Sequence, residues 1–196
     1  MRLFLDITQG MGLAGAAGVR PFLPTLLSGA LARANLGLDF DHTRYAFMES
    51  SWFLLAVVVL LIITVIVERR KPGTVETGAF GAALAGIAIG LGALLFAGSV
   101  ADHGQTSWAW LVPGIACALV GNAAVRSLFL RVARRLDRAA RQALPLYAEG
   151  ASLASAGLAV LIPPVSILLL GFFAWLWIGG RRREGEKYAG LRSLTK

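Results

Sequence analysis

The residues of this chain best suited to chemistry are one arginine and two glutamates set in apolar surroundings. Arg20 is the lone charge in GLAGAAGVRPFLPTLLSGALA, Gly12 to Ala32, and Pro21 and Pro24 follow it. A guanidinium at the centre of a membrane helix costs roughly 2.5–3.5 kcal/mol on insertion scales, so it is expected to face a cavity or a partner. Pro21 disfavours helical geometry at Arg20 and suits the first turn of a new helix. Arg20 and the free amides of that helix would make a donor-rich positive point near the membrane midplane, where an anion can bind. The alternative is a structural role, with Arg20 paired to an internal carboxylate or reaching a headgroup. Glu149 is one candidate for that carboxylate, or for a proton-titrating group. As an acid at the start of the last apolar block, it is equally explained by the helix dipole. Glu68 precedes Arg69 and Arg70, where an interfacial ion pair is expected.

Other chemistry is weakly represented. His42 follows Asp39 and Asp41, and His103 follows Asp102, but neither group has the ligand count of a zinc or iron site, so no metal is expected. Cys117 is the single cysteine, which excludes an internal disulfide. Phosphate loops, nucleophile elbows and zinc-helix motifs are missing, so the chain does not read as an enzyme and calls for no cofactor.

The elements that must position these residues follow from composition. The 196 residues are 57% hydrophobic and 15% charged, with a mean hydropathy of +0.69, too apolar for a soluble domain of this size. Five apolar blocks, at about 7–34, 46–67, 75–98, 108–125 and 147–178, are joined by short polar connections, so one integral-membrane domain over 1–196 is expected. Asp6, Thr8 and Gln9 interrupt the apolar core a secretory signal needs, so the N-terminal segment reads as retained. The net charge of +8 is not a nucleic-acid footprint, because most basic residues fall in three blocks, Arg69 to Lys71, Arg126 to Arg141 and Arg181 to Lys196, each ending an apolar run. By the positive-inside rule these lie in the cytoplasm, giving a multi-pass inner-membrane protein with a cytoplasmic C-terminus. The segment 126–142 reads as a basic interfacial helix on anionic lipid, with Leu128, Val132 and Leu136 on one face. Block three carries Gly78, Ala82, Gly86 and Gly90 at four-residue intervals, a stripe that lets another helix, or a second copy of the chain, approach closely.

Block five ends beside basic residues at both of its termini, and at about 1.5 Å per residue one helix would overrun the bilayer. Pro163 and Pro164 sit in its middle. Two helices at about 149–162 and 165–178, folded as a hairpin, fit the charges better than one long kinked span. Block one has the same grammar. Aligning Pro24 with Pro163 superposes Ala17 on Ala156 and Gly18 on Gly157, a hint of a repeat whose halves enter from opposite faces. The expected fold is therefore an all-α polytopic transmembrane helix bundle with two proline-broken segments, re-entrant or kinked.

GLAGAAGVRPFLPTLLSGALAR, a span ending VIVERRKPG, and AEGASLASAGLAVLIPPVSILLL near the C-terminus together resemble the bacterial integral-membrane family catalogued as domain of unknown function 4126. Gly18, Arg20 and Glu68 carry the resemblance most clearly. It implies a helical membrane protein and brings no activity. The residues themselves suggest a small transporter or translocator of an anionic solute or lipid headgroup, built around Arg20, Pro21, Pro24 and Glu149 with broken helices meeting near Arg20. The alternative is a non-transporting scaffold or lipid-organising subunit associating through Gly86 and Gly90. Pro163, Pro164 and Glu68 are then structural or ion-pairing residues.

Overall fold

The structure is a computed structural model, and it describes residues 2–70, 78–101, 108–132 and 138–189. The described elements are all helical: α1 (Arg2–Val19), α2 (Phe22–Arg33), α3 (Ser51–Arg70), α4 (Gly78–Ala101), α5 (Leu111–Val132), α6 (Arg138–Leu161) and α7 (Val165–Ala189), with single 3-10 turns at Ala46–Glu49 and Trp108–Trp110. Four segments are long and apolar enough to cross a membrane, Ser51–Arg70, Gly78–Ala101, Trp108–Phe129 and Ala143–Leu161. Such lengths match the roughly 20 residues that about 30 Å of hydrocarbon requires, and they fit a membrane protein.

α1 is the hub. Every residue from Gly12 to Arg20 is buried, and α4, α5, α6 and α7 all pack against this one helix. A helix enclosed on all sides needs a thin profile, which explains its run of Gly and Ala. The approach is backbone to backbone: a side chain at Gly18 would collide with the Ala118 carbonyl on α5, and one at Gly92 would lie 2.7 Å from the Ala118 methyl and 3.0 Å from the Ala14 carbonyl oxygen.

Hydrogen bonds fix the direction of each helix. Near its start, α1 accepts a bond at the Asp6 carbonyl from Ser99 Oγ (3.0 Å), at the far end of α4. Gln9 Nε2 donates to the Gly37 carbonyl (2.8 Å), just beyond α2. Arg20, at the other end of α1, reaches Glu68 near the close of α3. α2 then runs back, and Arg33 NH1 donates to Ser51 Oγ at the start of α3 (2.6 Å). Block one is therefore a helical hairpin. Its tip is Arg20, at the end of the molecule that carries Arg69 and Arg70, called the basic end below.

Block five is a hairpin of opposite sense. α6 leaves the basic end, where Glu149 lies beside Arg20. It stops at Leu161, and α7 resumes at Val165 after Pro163 and Pro164. Near this tip, a side chain at Gly12 would strike Ser166 and Ala159, and Val160 lies 3.1 Å from where a Cβ on Gly37 would stand. α7 returns, and the Leu176 carbonyl accepts from Arg131 NH2 (3.0 Å) at the end of α5. α6 packs more extensively on α1 than on α7, so the two hairpins interlock.

Several sequence expectations change. The tips do not meet: Gly12, which faces Ser166, is eight residues from Arg20, about 12 Å along the helix. Of the 126–142 stretch, 126–132 form the last turns of α5 and 138–142 open α6, while 133–137 lie outside the described residues. Glu149 is not at a helix start, since α6 begins at Arg138 and runs through Pro145. Aligning Pro24 with Pro163 sets the break at Arg20 opposite Ala159, which is helical, so the suggested repeat is out of register with the real breaks. Among the described residues nothing lies within 4 Å of a Cβ placed on Gly86 or Gly90. The glycines that do bring helices together are others: Gly12, Gly18, Gly92, Gly114 and Gly121.

Candidate functional site

The hairpin tip is built by local rules. Arg20 N still donates to the Ala16 carbonyl (3.1 Å), closing the last turn of α1. Pro21 follows as the N-cap of α2, with φ −72° and ψ −35°, and supplies no capping side chain. Pro24 falls in the first turn of α2, where its missing N–H breaks no helix bond. Thr25 and Ser28 donate back to the Pro21 and Pro24 carbonyls at 2.6 and 2.8 Å, so the proline-rich start is secured from within. The Gly18 carbonyl, near the end of α1, accepts from Asn122 Nδ2 on α5 (3.3 Å).

Around this tip the helices assemble a charge cluster. Arg20 NH1 donates to Glu68 Oε1 at 2.7 Å, and the two side chains are only 7% and 13% exposed. Glu149 approaches from α6, with Oε1 3.8 Å from Arg20 Nε. Its Oε2 is buried and has no hydrogen-bond partner among the described residues. Phe129 of α5 closes another side, its ring centroid 6.0 Å from the guanidinium carbon, at the edge of cation–π range.

This arrangement corrects the sequence reading in two respects. Glu68 pairs with Arg20, far away in sequence, where its neighbours Arg69 and Arg70 were expected. The cluster also lies near an end of a span: Glu68 is two residues from the close of α3, and about 25 Å along it from Ser51. The structure brings Arg20, Pro21, Glu68 and Glu149 together, with Pro24 one turn away. Pro163 and Pro164 are at the opposite tip, and Gly86 and Gly90 lie on the outer face of α4. Sequence reasoning missed Phe129 and Asn122. Asn122 had a usable signal, as the amide side chain within an apolar block; Phe129 had none.

At the opposite end, one oxygen each from Asp39, Asp41 and Glu49 fall within 4.8 Å of one another. Two of these carboxylates are occupied in shaping the loop: Glu49 Oε1 accepts from Phe40 N (2.5 Å) and Asp39 Oδ1 from Asp41 N (2.8 Å). His42 is exposed beside them with φ 62°. Asp102 and His103 lie outside the described residues.

What the Arg20 cluster can do follows from its donor count. A guanidinium has five N–H donors. Among the described residues, one of them is in a hydrogen bond, to Glu68. The cluster therefore combines a buried cation that has donors to spare with a second carboxylate just beyond bonding distance.

Compared with known protein families, residues 7–183 match the one described as Domain of unknown function (DUF4126). Neither the curated proteins nor the solved structures gave a match. The chain, matched over most of its length, belongs to the DUF4126 family.

Proposed function

We propose that this is a small inner-membrane transporter or translocator of an anionic solute or lipid headgroup, with Arg20 as the cation that binds the anion. The reading rests on the incomplete pairing of Arg20. A purely structural buried ion pair is stable only when its remaining donors and acceptors are also satisfied, whereas here a guanidinium with unused donors faces a carboxylate held at 3.8 Å. The first-turn amides of α2 add positive partial charge beside it. Two broken hairpins of opposite sense are an architecture that alternating-access transporters use. α3, which carries Glu68, packs chiefly on α2 and the 46–49 turn, so a small outward shift of α3 would withdraw Glu68 and free the guanidinium. In this reading the basic end and the C-terminus are cytoplasmic, Arg126 to Arg141 contact anionic lipid, and no catalysis or cofactor is involved.

The test is flux in proteoliposomes with two probes, entrapped inorganic phosphate and a fluorescent phosphatidylglycerol whose transbilayer movement is followed by quenching. Wild-type protein is expected to accelerate one of them over empty vesicles, and Arg20→Lys to slow it at unchanged protein content, because an ammonium cannot reproduce the planar fork. If neither probe moves, transport of both classes is excluded.

A second reading, a non-transporting scaffold, is favoured by the outward-facing Gly86 and Gly90. On that reading Gly86→Leu and Gly90→Leu lower the oligomeric state in nanodiscs. Because no described neighbour faces either position, both variants are expected to keep the wild-type melting temperature. A lost melt with an unchanged oligomer would refute it.

A further inference from the structure

The second carboxylate of the cluster has a consequence for coupling, resting on the reading of Arg20 as the anion site. Glu68 already neutralises Arg20, through a hydrogen bond of 2.7 Å. Glu149 therefore adds a second negative charge to a single guanidinium, 3.8 Å from Nε, with Oε2 buried and without a hydrogen-bond partner among the described residues. An ionised carboxylate in that position is costly, since burial without hydrogen bonds is the least favourable setting for charge. Among the described residues no other cation lies within ion-pair distance of Glu149. α1 and α2, which pack on α6, bring only Arg20 to this end, as Arg2, Asp6 and Arg33 lie toward the other. α3 contributes Glu68, with Arg69 and Arg70 exposed beyond it; α5 carries Arg131, which donates to the Leu176 carbonyl, and the exposed Arg126; and Val165–Gly179 of α7 contains no titratable residue.

We infer that Glu149 binds a proton, taken from water at the basic end, and that this proton accompanies the anion. An anion arriving at Arg20 brings another negative charge beside Glu149. By linkage it binds more tightly when Glu149 is neutral, and it favours proton uptake to the same degree. Each anion carried then travels with a proton on Glu149, which returns to water when the anion leaves.

Infrared spectroscopy of purified protein at about pH 7, well above the ordinary carboxylate range of about 4, tests the proton without any assumption about transport. Wild-type protein is expected to show the C=O band of a protonated carboxylic acid, shifted in deuterium oxide, which Glu149→Gln removes and Glu68→Gln retains. In vesicles, an imposed pH gradient should speed uptake of the moving probe roughly tenfold in wild type and have no effect in Glu149→Gln. A band that is absent from wild type, or that survives Glu149→Gln, overturns the inference. If the band is assigned to Glu149 but neither probe moves, the proton site stands and the transport reading falls. Flux in wild type with no protonated Glu149 has the reverse meaning.

Discussion

Replacing Arg20 with alanine is expected to lower the unfolding free energy by about 3–5 kcal/mol, the range found when one partner of a buried ion pair is removed. Glu68 and Glu149 would then face each other with no cation between them, and both are largely shielded from water. The void left by the guanidinium, against Phe129, adds to the loss. Chemical unfolding in mixed micelles measures the effect. Adding Glu68→Gln to Arg20→Ala should restore part of it, because the second change removes the stranded charge, giving a coupling of about 1–3 kcal/mol in a double-mutant cycle. Strict additivity would mean that the two side chains do not act as a pair. A sequence view alone would use Arg20→Ala as a clean probe of ligand binding. The ion pair makes it a stability variant as well, which is why Arg20→Lys and Glu149→Gln are the better functional probes.

The second large effect is expected at Gly121. A Cβ there would collide with the carbonyl oxygen of Gly15 and stand 3.3 Å from Val19 N, so at this point α5 and α1 meet backbone to backbone. Overpacking a core costs about 1–3 kcal/mol when side chains can adjust. Here the obstacle is the backbone of the central helix, and α1 is held on its other faces by α4, α6 and α7. Gly121→Val should therefore reach or exceed that range, seen as lost monodispersity or a strongly lowered melting temperature. Gly90→Val, on the same helix type but with no described neighbour, should stay within about 0.5 kcal/mol of wild type. Equal effects at both sites would refute the central position of α1.

Much of the secondary structure was legible in the sequence because its signals are local. The absence of charge between Trp52 and Val67 requires a helix that suits a bilayer, and α3 spans Ser51–Arg70. The basic residues flanking block five argued for a hairpin, and the Pro163–Pro164 pair gave the place where α6 and α7 separate. The glycine period did not mark the contacts within the chain, for a geometric reason. A four-residue period names a helix face, but only the partner decides whether that face is used. Gly86 and Gly90 have the period and point outward, while Gly92, two residues on, carries the α4 contact with α1.

The sequence by itself determined the all-helical class and the isolation of Arg20, because hydrophobicity and charge act over a turn or two of chain. Only the tertiary structure decided that Arg20 binds Glu68 across 48 positions and that Glu149 stands beside them with an unmet oxygen. A carboxylate carries no local mark of its partner. The pairing depends on where α3 and α6 cross the tip of the first hairpin, and that crossing is set by which glycines allow α1 to be enclosed.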